Sequence, residues 1–283
     1  MGGSRDYSGS MCCSAWNASG LLRPGILACL LLSLSIPARC AQGASTNLSF
    51  AGGKIACDIV APGLSIPDRV LLTLPIAMNA ALEHVGEPAE PVHLTLRLQE
   101  TPSYYKRAKA LFRVEALATQ QGDEILLRAG ADPLKLAFRI AHELSHWLVS
   151  KRHPVRPPLW LDEGLAQRVG AAAADTCGRT QKQTAGRSRP PKLDRNLFAI
   201  NELTGLQVYP KTEARSAAFY WQAEALVAAI RNRLGPVEFT VYLGLLAAPG
   251  APDWRTPLRD RWYFSDWDFQ WLAQQIQPKT ESQ

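Results

Sequence analysis

The chain has 283 residues, of which 47% are hydrophobic and 20% charged, with a formal net charge of +6. This composition is that of an ordinary globular protein and excludes disordered, collagen-like and heptad-repeat chains. The length suits one large domain or two small ones. Because the mild positive charge comes with no nucleic-acid-binding motif, we expect no nucleic-acid partner.

The first 43 residues have the pattern of a secretory signal peptide. An apolar run from Ile26 to Ile36 follows Arg5 and Arg23 and precedes a tract of mostly small residues that ends at Gly43. The run is shorter than the roughly 20 residues that a helix needs to cross a bilayer. We therefore expect residues 1–43 to be removed on export and the mature protein to lack a transmembrane span. An uncleaved N-terminal anchor is the alternative.

Export would leave two of the six cysteines, Cys57 and Cys177, in the mature protein. In an oxidising compartment two cysteines can form one disulfide. Two buried thiols that never meet are equally compatible with the sequence.

The N-terminal half of the mature chain predicts a small mixed sheet with a helix packed on it. Weak alternation around Gly52-Gly53 predicts one or two short strands, and apolar residues at helical spacing up to His84 predict a helix. Strict alternation and flanking glycines predict further strands. The predicted segments are strands within Asn47–Val60, a helix from Ile66 to His84, and strands at Pro91–Leu98, Gly122–Gly130 and Leu111–Leu117.

The C-terminal half reads as mainly helical. Apolar stripes and breakers predict helices at Pro133–Ser150, Leu159–Ala174, Ala217–Leu234 and Pro236–Ala248. Ser265 and Asp268 form a capping-box pattern before a last helix, which places Trp267 and Trp271 on one face, where we expect them in the core. The basic segment 178–195 is expected to be an exposed loop that is solvated or touches an acidic partner or a membrane surface.

One short motif carries chemistry: His142-Glu143-Leu144-Ser145-His146, inside the helix predicted from Pro133. A spacing of four puts both imidazoles on one helical face, where they can bind a single metal ion. Glu143 is rotated by one residue and can address a water on that ion. The alternative is that these side chains only decorate a helix surface.

A catalytic zinc site usually has three protein ligands, so a third ligand is expected. The pattern HExxHxxGxxH is excluded because Val149 and Arg152 stand where it requires glycine and histidine. His153 lies in a proline-rich loop and is expected to be exposed. The other candidate is Glu163, in the helix that follows.

The motif together with Trp160-Leu161-Asp162-Glu163-Gly164-Leu165-Ala166 resembles the gluzincin zinc metallopeptidases. The closer likeness is to the bacterial peptidase MA-like group, and the more distant one is to the M1 aminopeptidases. The resemblance implies one Zn²⁺ ion held by His142, His146 and Glu163, with Glu143 as catalytic general base. It also implies an α+β, zincin-like fold, in which a small mixed β-sheet is followed by a mainly helical half with the active-site helix between them.

We accordingly expect a single metallopeptidase-like domain over residues 44–283, with the sheet in 44–130 and the helical part in 131–283. Gly164 should let the second helix approach the first. Asp162 should point elsewhere, to a second shell or the surface. Because Gln167 stands where an acid that orients the histidines might be expected, the orienting group stays open.

Two further features are implied by the resemblance. The edge-like strand Gly122–Ala129 would pair with an extended substrate. Tyr220 is similar to a tyrosine near the start of a later family helix and is a candidate catalytic residue that stabilises the oxyanion. Packing at the helix start is the alternative role for Tyr220.

The sequence therefore predicts a secreted zinc metallopeptidase that acts on a peptide or protein substrate in a periplasmic or extracellular compartment. Because no GxMEN-like stretch is present, aminopeptidase activity is not expected. Two alternatives remain: a non-catalytic zinc-site domain that binds a peptide or envelope protein, and a zinc hydrolase of a non-peptide amide or ester.

Overall fold

The computed structural model describes residues 43–99, 118–128, 132–180 and 196–278. The described strands are β1 (Ala44–Phe50), β2 (Ile55–Ala61), β3 (Val92–Gln99), β4 (Ala118–Gln121) and β5 (Glu124–Arg128). The described helices are α1 (Asp68–Val85), α2 (Pro133–Arg152), α3 (Leu159–Thr180), α4 (Ile200–Gly205), α5 (Glu213–Leu234), α6 (Pro236–Leu246), α7 (Arg255–Trp262) and α8 (Asp266–Gln275). The predicted signal, the predicted strand Leu111–Leu117 and most of the basic segment lie outside the described residues.

The five strands form one mixed sheet in the order β1-β2-β3-β5-β4. β1 and β2 are an antiparallel hairpin, β2, β3 and β5 run parallel, and β4 is antiparallel to β5. The expected edge strand was therefore wrong. β5 lies inside the sheet, because the chain turns at Gly122 (φ 57°) and places the preceding β4 at the edge.

The sheet and the helices share one hydrophobic core. In β3, Leu94, Leu96 and Leu98 are buried as the alternation predicted, and they belong to the same core as Leu74 and Met78 of α1. The described residues thus confirm the predicted α+β class, with a mixed sheet that precedes a mainly helical half.

Three predicted helices are longer than expected, since α5 also begins four residues earlier, and two short helices were not predicted. Asp132 caps α2 by accepting hydrogen bonds from the amides of Leu134 and Lys135, and α2 extends to Arg152. α3 continues to Thr180. The short helices α4 and α7 span too few residues to give a helical apolar stripe, so the sequence shows little signal for them.

Helix α2 is also fastened to the turn between β4 and β5. The buried indole of Trp147 donates a hydrogen bond of 2.9 Å to Asp123 Oδ1 in that turn, and Lys151 Nζ lies 2.5 Å from the same oxygen. The helix and the edge hairpin are thereby joined by groups one turn apart on α2.

Glycines of α3 mark where it meets its neighbours. A Cβ on Gly164 would lie 2.4 Å from the carbonyl oxygen of Ala223 in α5, whereas a Cβ on Gly170 would lie 2.9 Å from that of Phe138 in α2. The expected role of Gly164 was therefore wrong. Gly164 allows the approach of α3 to α5, and Gly170 allows its approach to α2.

The structure corrects the environments that were expected for Trp267, Trp271 and His153. Trp267 and Trp271 are 79% and 39% exposed, because α8 buries Phe269 and Leu272 instead. His153 is half-buried beside Gly244 of α6 rather than exposed.

Cys57 and Cys177 are both buried free thiols, so the alternative of two thiols that do not form a disulfide is confirmed.

None of the helices in the described ranges has the length and apolar character needed to span a membrane.

The Gly164 contact predicts a loss of stability on substitution. In Gly164→Ala the added methyl meets a backbone carbonyl that cannot rotate away, so the free energy of unfolding should fall by about 1–3 kcal/mol. Urea denaturation measures this. The matched control is Gly205→Ala, where a Cβ would meet nothing within 4 Å. Equal stabilities for the two variants would contradict the close approach of α3 and α5.

Candidate metal centre

Two histidines of α2 face each other in the interior. His142 and His146 are one turn apart and only 6% and 9% exposed. Their ring centroids are 4.8 Å apart, and their Nε2 atoms are 3.2 Å apart. The helical spacing therefore brings both rings to one point, as the motif predicted.

Glu163 joins them from the first turn of α3. Its Oε2 lies 3.5 Å from His142 Nε2, and its Oε1 lies 3.6 Å from His146 Nε2. One ligand atom from each of the three residues lies within 4.8 Å of the others. The structure thus brings together all three residues that the sequence predicted as metal ligands.

The start of α3 is held by buried aromatic and aliphatic packing. Trp160 and Leu161 are fully buried, and the Trp160 ring packs edge-to-face on Trp254 at 5.6 Å. This packing anchors the turn that carries Glu163.

Asp162 orients one of the two histidines. It is buried, and its Oδ1 lies 3.0 Å from Nδ1 of His146. An ionised carboxylate here requires a proton on Nδ1, which leaves Nε2 with a free electron pair. Asp162 thus points away from the metal position, and of the two expected places it takes the one behind a ligand rather than the surface, which answers the open question of the orienting group for His146.

The charges around the two rings differ. Burial alone would lower the pKa of His146, but Asp162, Glu163 and Glu143 outweigh it and raise the pKa to about 10. Burial, the charge of His146 and that of Arg139 lower the pKa of His142 well below its usual range. The carboxylates that favour positive charge at His146 also favour a cation beside it.

This donor set fits a zinc ion. The two Nε2 atoms face each other, and the buried Oε2 of Glu163 has no hydrogen-bond partner among the described residues. Facing electron pairs repel unless a proton or a cation lies between them. Two imidazoles and one carboxylate are ligands that Zn²⁺ takes in catalytic sites with one position left open.

Glu143 lies between these residues and the edge strand. Burial raises the pKa of its carboxyl group, and the charge of Glu163 raises it further, while His146 and the backbone N–H of Gln120 in β4 oppose the rise. The backbone N–H of Gln120 thus connects the carboxylate of Glu143 to the edge strand of the sheet. A carboxylate with a raised pKa is suited to accept and return a proton.

Two tyrosines lie beside Glu163. Tyr209 donates a hydrogen bond to Glu163 Oε1, and its ring lies 6.5 Å from that of Tyr220 in α5. Burial, followed by the charge of Glu163, raises the pKa of both hydroxyls, so both stay protonated and able to donate. Tyr209 was not predicted from the sequence. It belongs to no motif, lies outside any helix or strand and is 46 residues from Glu163 in the chain.

No protein-family model and no curated protein matches the sequence. Among solved structures, it is similar to an M1 zinc metallopeptidase from Deinococcus radiodurans, with 14% identity and a TM-score of 0.47. A mutant of an M1 zinc metallopeptidase from that organism bound to a Tyr-Ser-Ala substrate gives 13% and 0.46, and a two-domain M1 mutant bound to L-arginine gives 14% and 0.47. Each likeness covers 85% of this chain, which spans about half (53%) of the other.

The bond between Asp162 and His146 predicts an effect on metal affinity. In Asp162→Asn the carboxylate that fixes the Nδ1–H tautomer is lost, so zinc affinity should fall about 10- to 100-fold. Competition with a chromogenic chelator measures it. Asp175→Asn, an exposed acid on the same helix, is the matched control. Unchanged affinity in Asp162→Asn would mean that another group sets the orientation of His146.

Proposed function

We propose that this protein is a zinc-dependent peptidase in which His142, His146 and Glu163 hold one zinc ion. The observation that carries the proposal is the convergence of these three buried side chains, with Asp162 behind His146. Three buried side chains whose ligand atoms face one another need a proton or a cation between them, and their two imidazoles and one carboxylate suit a cation. The fit of this donor set to zinc supports the choice of metal.

The chemistry is divided between the ion and the chain. When bound, zinc would polarise the scissile carbonyl and lower the pKa of water. Glu143 takes a proton from the attacking water and returns it to the leaving amine, for which its raised pKa is favourable. Asp162 keeps His146 in one tautomer, and buried Trp160 and Leu161 keep Glu163 in position.

The substrate would lie along β4. Its outer side has no neighbouring strand among the described residues, so an extended peptide can add to it through main-chain hydrogen bonds. The backbone N–H of Gln120 in this strand donates a hydrogen bond to the carboxylate of Glu143, which supports a peptide path that passes the proposed base.

Export belongs to the same proposal. The signal-like pattern of residues 1–43 supports a periplasmic or extracellular location for a single domain over residues 44–283.

Substitution of the base should separate chemistry from metal binding. Glu143→Gln keeps the three ligands, so it should retain about one zinc per chain while peptide cleavage falls at least about 10³-fold. His146→Ala should lose both. Metal analysis and cleavage of a denatured protein mixture, with and without chelator, measure these outcomes.

Full activity in Glu143→Gln would exclude Glu143 as the base. Chelator-resistant cleavage by the wild type would contradict a zinc peptidase. Stoichiometric zinc in Glu163→Ala would move the third ligand elsewhere.

The two tyrosines should differ in what they contribute. Because the Tyr209 hydroxyl is bonded to Glu163, we assign oxyanion stabilisation to Tyr220. Tyr220→Phe should lower kcat about 10²-fold with little change in KM or zinc affinity. Tyr209→Phe should mainly weaken zinc binding. Steady-state kinetics and zinc titration of both variants test this, and a reversed pattern would exchange the two roles.

A further inference from the structure

A pocket of about 460 Å³ opens next to Asp162 and Tyr209, outside the candidate metal centre. Two of its lining residues also touch the predicted ligands: Asp162, which is bonded to His146, and Tyr209, which is bonded to Glu163. Only one side chain therefore separates the pocket from each of these two ligands. We call it the Arg156 pocket, after the cationic residue that lines it.

The Arg156 pocket has apolar walls and two charged residues of opposite sign, Arg156 and Asp162. Val155 and Leu246 are among the apolar lining residues, and Gln207 adds a neutral polar group. Arg156 is exposed and forms a long hydrogen bond of 3.4 Å from Nη2 to Oε1 of Gln120 in the edge strand. The guanidinium thus stands between the proposed peptide path and the pocket.

The charge of Arg156 is available to a ligand. Within the ranges that the structure describes, no carboxylate forms an ion pair with its guanidinium. The acid that lines the same pocket, Asp162, is engaged with His146. The pocket also lies at the first residue of α3, Leu159, where the helix dipole favours negative charge. The charge of Arg156 also lowers the pKa of Glu163, but no carboxylate of the described ranges lies at ion-pair distance, so the guanidinium can still bind a ligand carboxylate through two parallel hydrogen bonds.

We propose that the Arg156 pocket selects substrates with a carboxylate next to the scissile bond, carried by an acidic side chain or by the peptide C-terminus. The apolar walls take the aliphatic part of such a residue, and Arg156 binds its charged end. This inference rests on the proposed peptidase function.

Matched peptides test the selectivity. A peptide cleaved at one bond is made with Glu, Gln or Lys at each position beside that bond, with an amidated C-terminus. A fourth version carries Gln and places a free C-terminal carboxylate one residue beyond the bond. At one position kcat/KM should be about ten-fold higher for Glu than for Gln. A preference confined to the fourth version assigns the pocket to C-terminal carboxylates.

Variants of Arg156 test the mechanism. Arg156→Glu should reverse the preference from Glu to Lys at the same position, and Arg156→Lys should retain part of it. The matched control Arg179→Gln changes an exposed arginine near the far end of α3 and should keep the wild-type preference. If Arg156→Glu loses all activity and no reversal of preference can be measured, the affinity of the variant for the same peptides decides whether Arg156 selects the carboxylate.

Binding separates this inference from the function on which it rests. Fluorescence anisotropy measures the affinity of zinc-loaded Glu143→Gln protein for the same peptides, with and without Arg156→Glu. Tighter binding of the carboxylate peptides that Arg156→Glu abolishes supports the pocket, even if the wild type cleaves nothing and the peptidase proposal fails. Cleavage by the wild type with equal binding of all peptides would overturn the pocket and leave the peptidase proposal standing.

Discussion

The packing of α3 against α2 is the constraint on which the site depends. Asp162 and Glu163 are adjacent in sequence, yet they address opposite nitrogens of the same ring, Nδ1 and Nε2 of His146. Consecutive residues of a helix point about 100° apart, so they can flank one ring only if that ring enters between them. A small rotation of α3 would break both contacts at once. The fully buried Trp160 and the close contact at Gly170 oppose such a rotation.

The candidate centre is also a balance of unfavourable burial and mutual attraction. Burial works against the charged form of every ionisable group in it, and the pKa values of Glu143 and Glu163 are raised for that reason. Opposite charges nearby compensate only in part at these two carboxyl groups, whereas at His146 they outweigh burial. A divalent cation would relieve this imbalance, because it gives Glu163 and the two rings a common partner.

The sequence predicted those parts of the site that depend on spacing within one helix. The i, i+4 separation of His142 and His146 guaranteed a shared face, and the likeness around Glu163 gave the third residue. The choice between the two places expected for Asp162 stayed open, because its direction depends on how α3 is rotated against α2, which no local pattern states. Tyr209 was missed for a similar reason, since an irregular segment carries no periodicity that could place its hydroxyl on Glu163. The edge strand was assigned to β5, since the alternation of a short strand does not reveal its position in the sheet order.

The tie between Trp147, Lys151 and Asp123 has a consequence for how a peptide would be aligned. It joins the helix that carries Glu143 to the turn of the hairpin that begins with the edge strand β4, and these contacts oppose movement of one element relative to the other. A peptide that adds to β4, as we propose, would then lie in a fixed register relative to Glu143. The protein without a bound peptide would thus already determine which amide bond of the peptide lies next to Glu143.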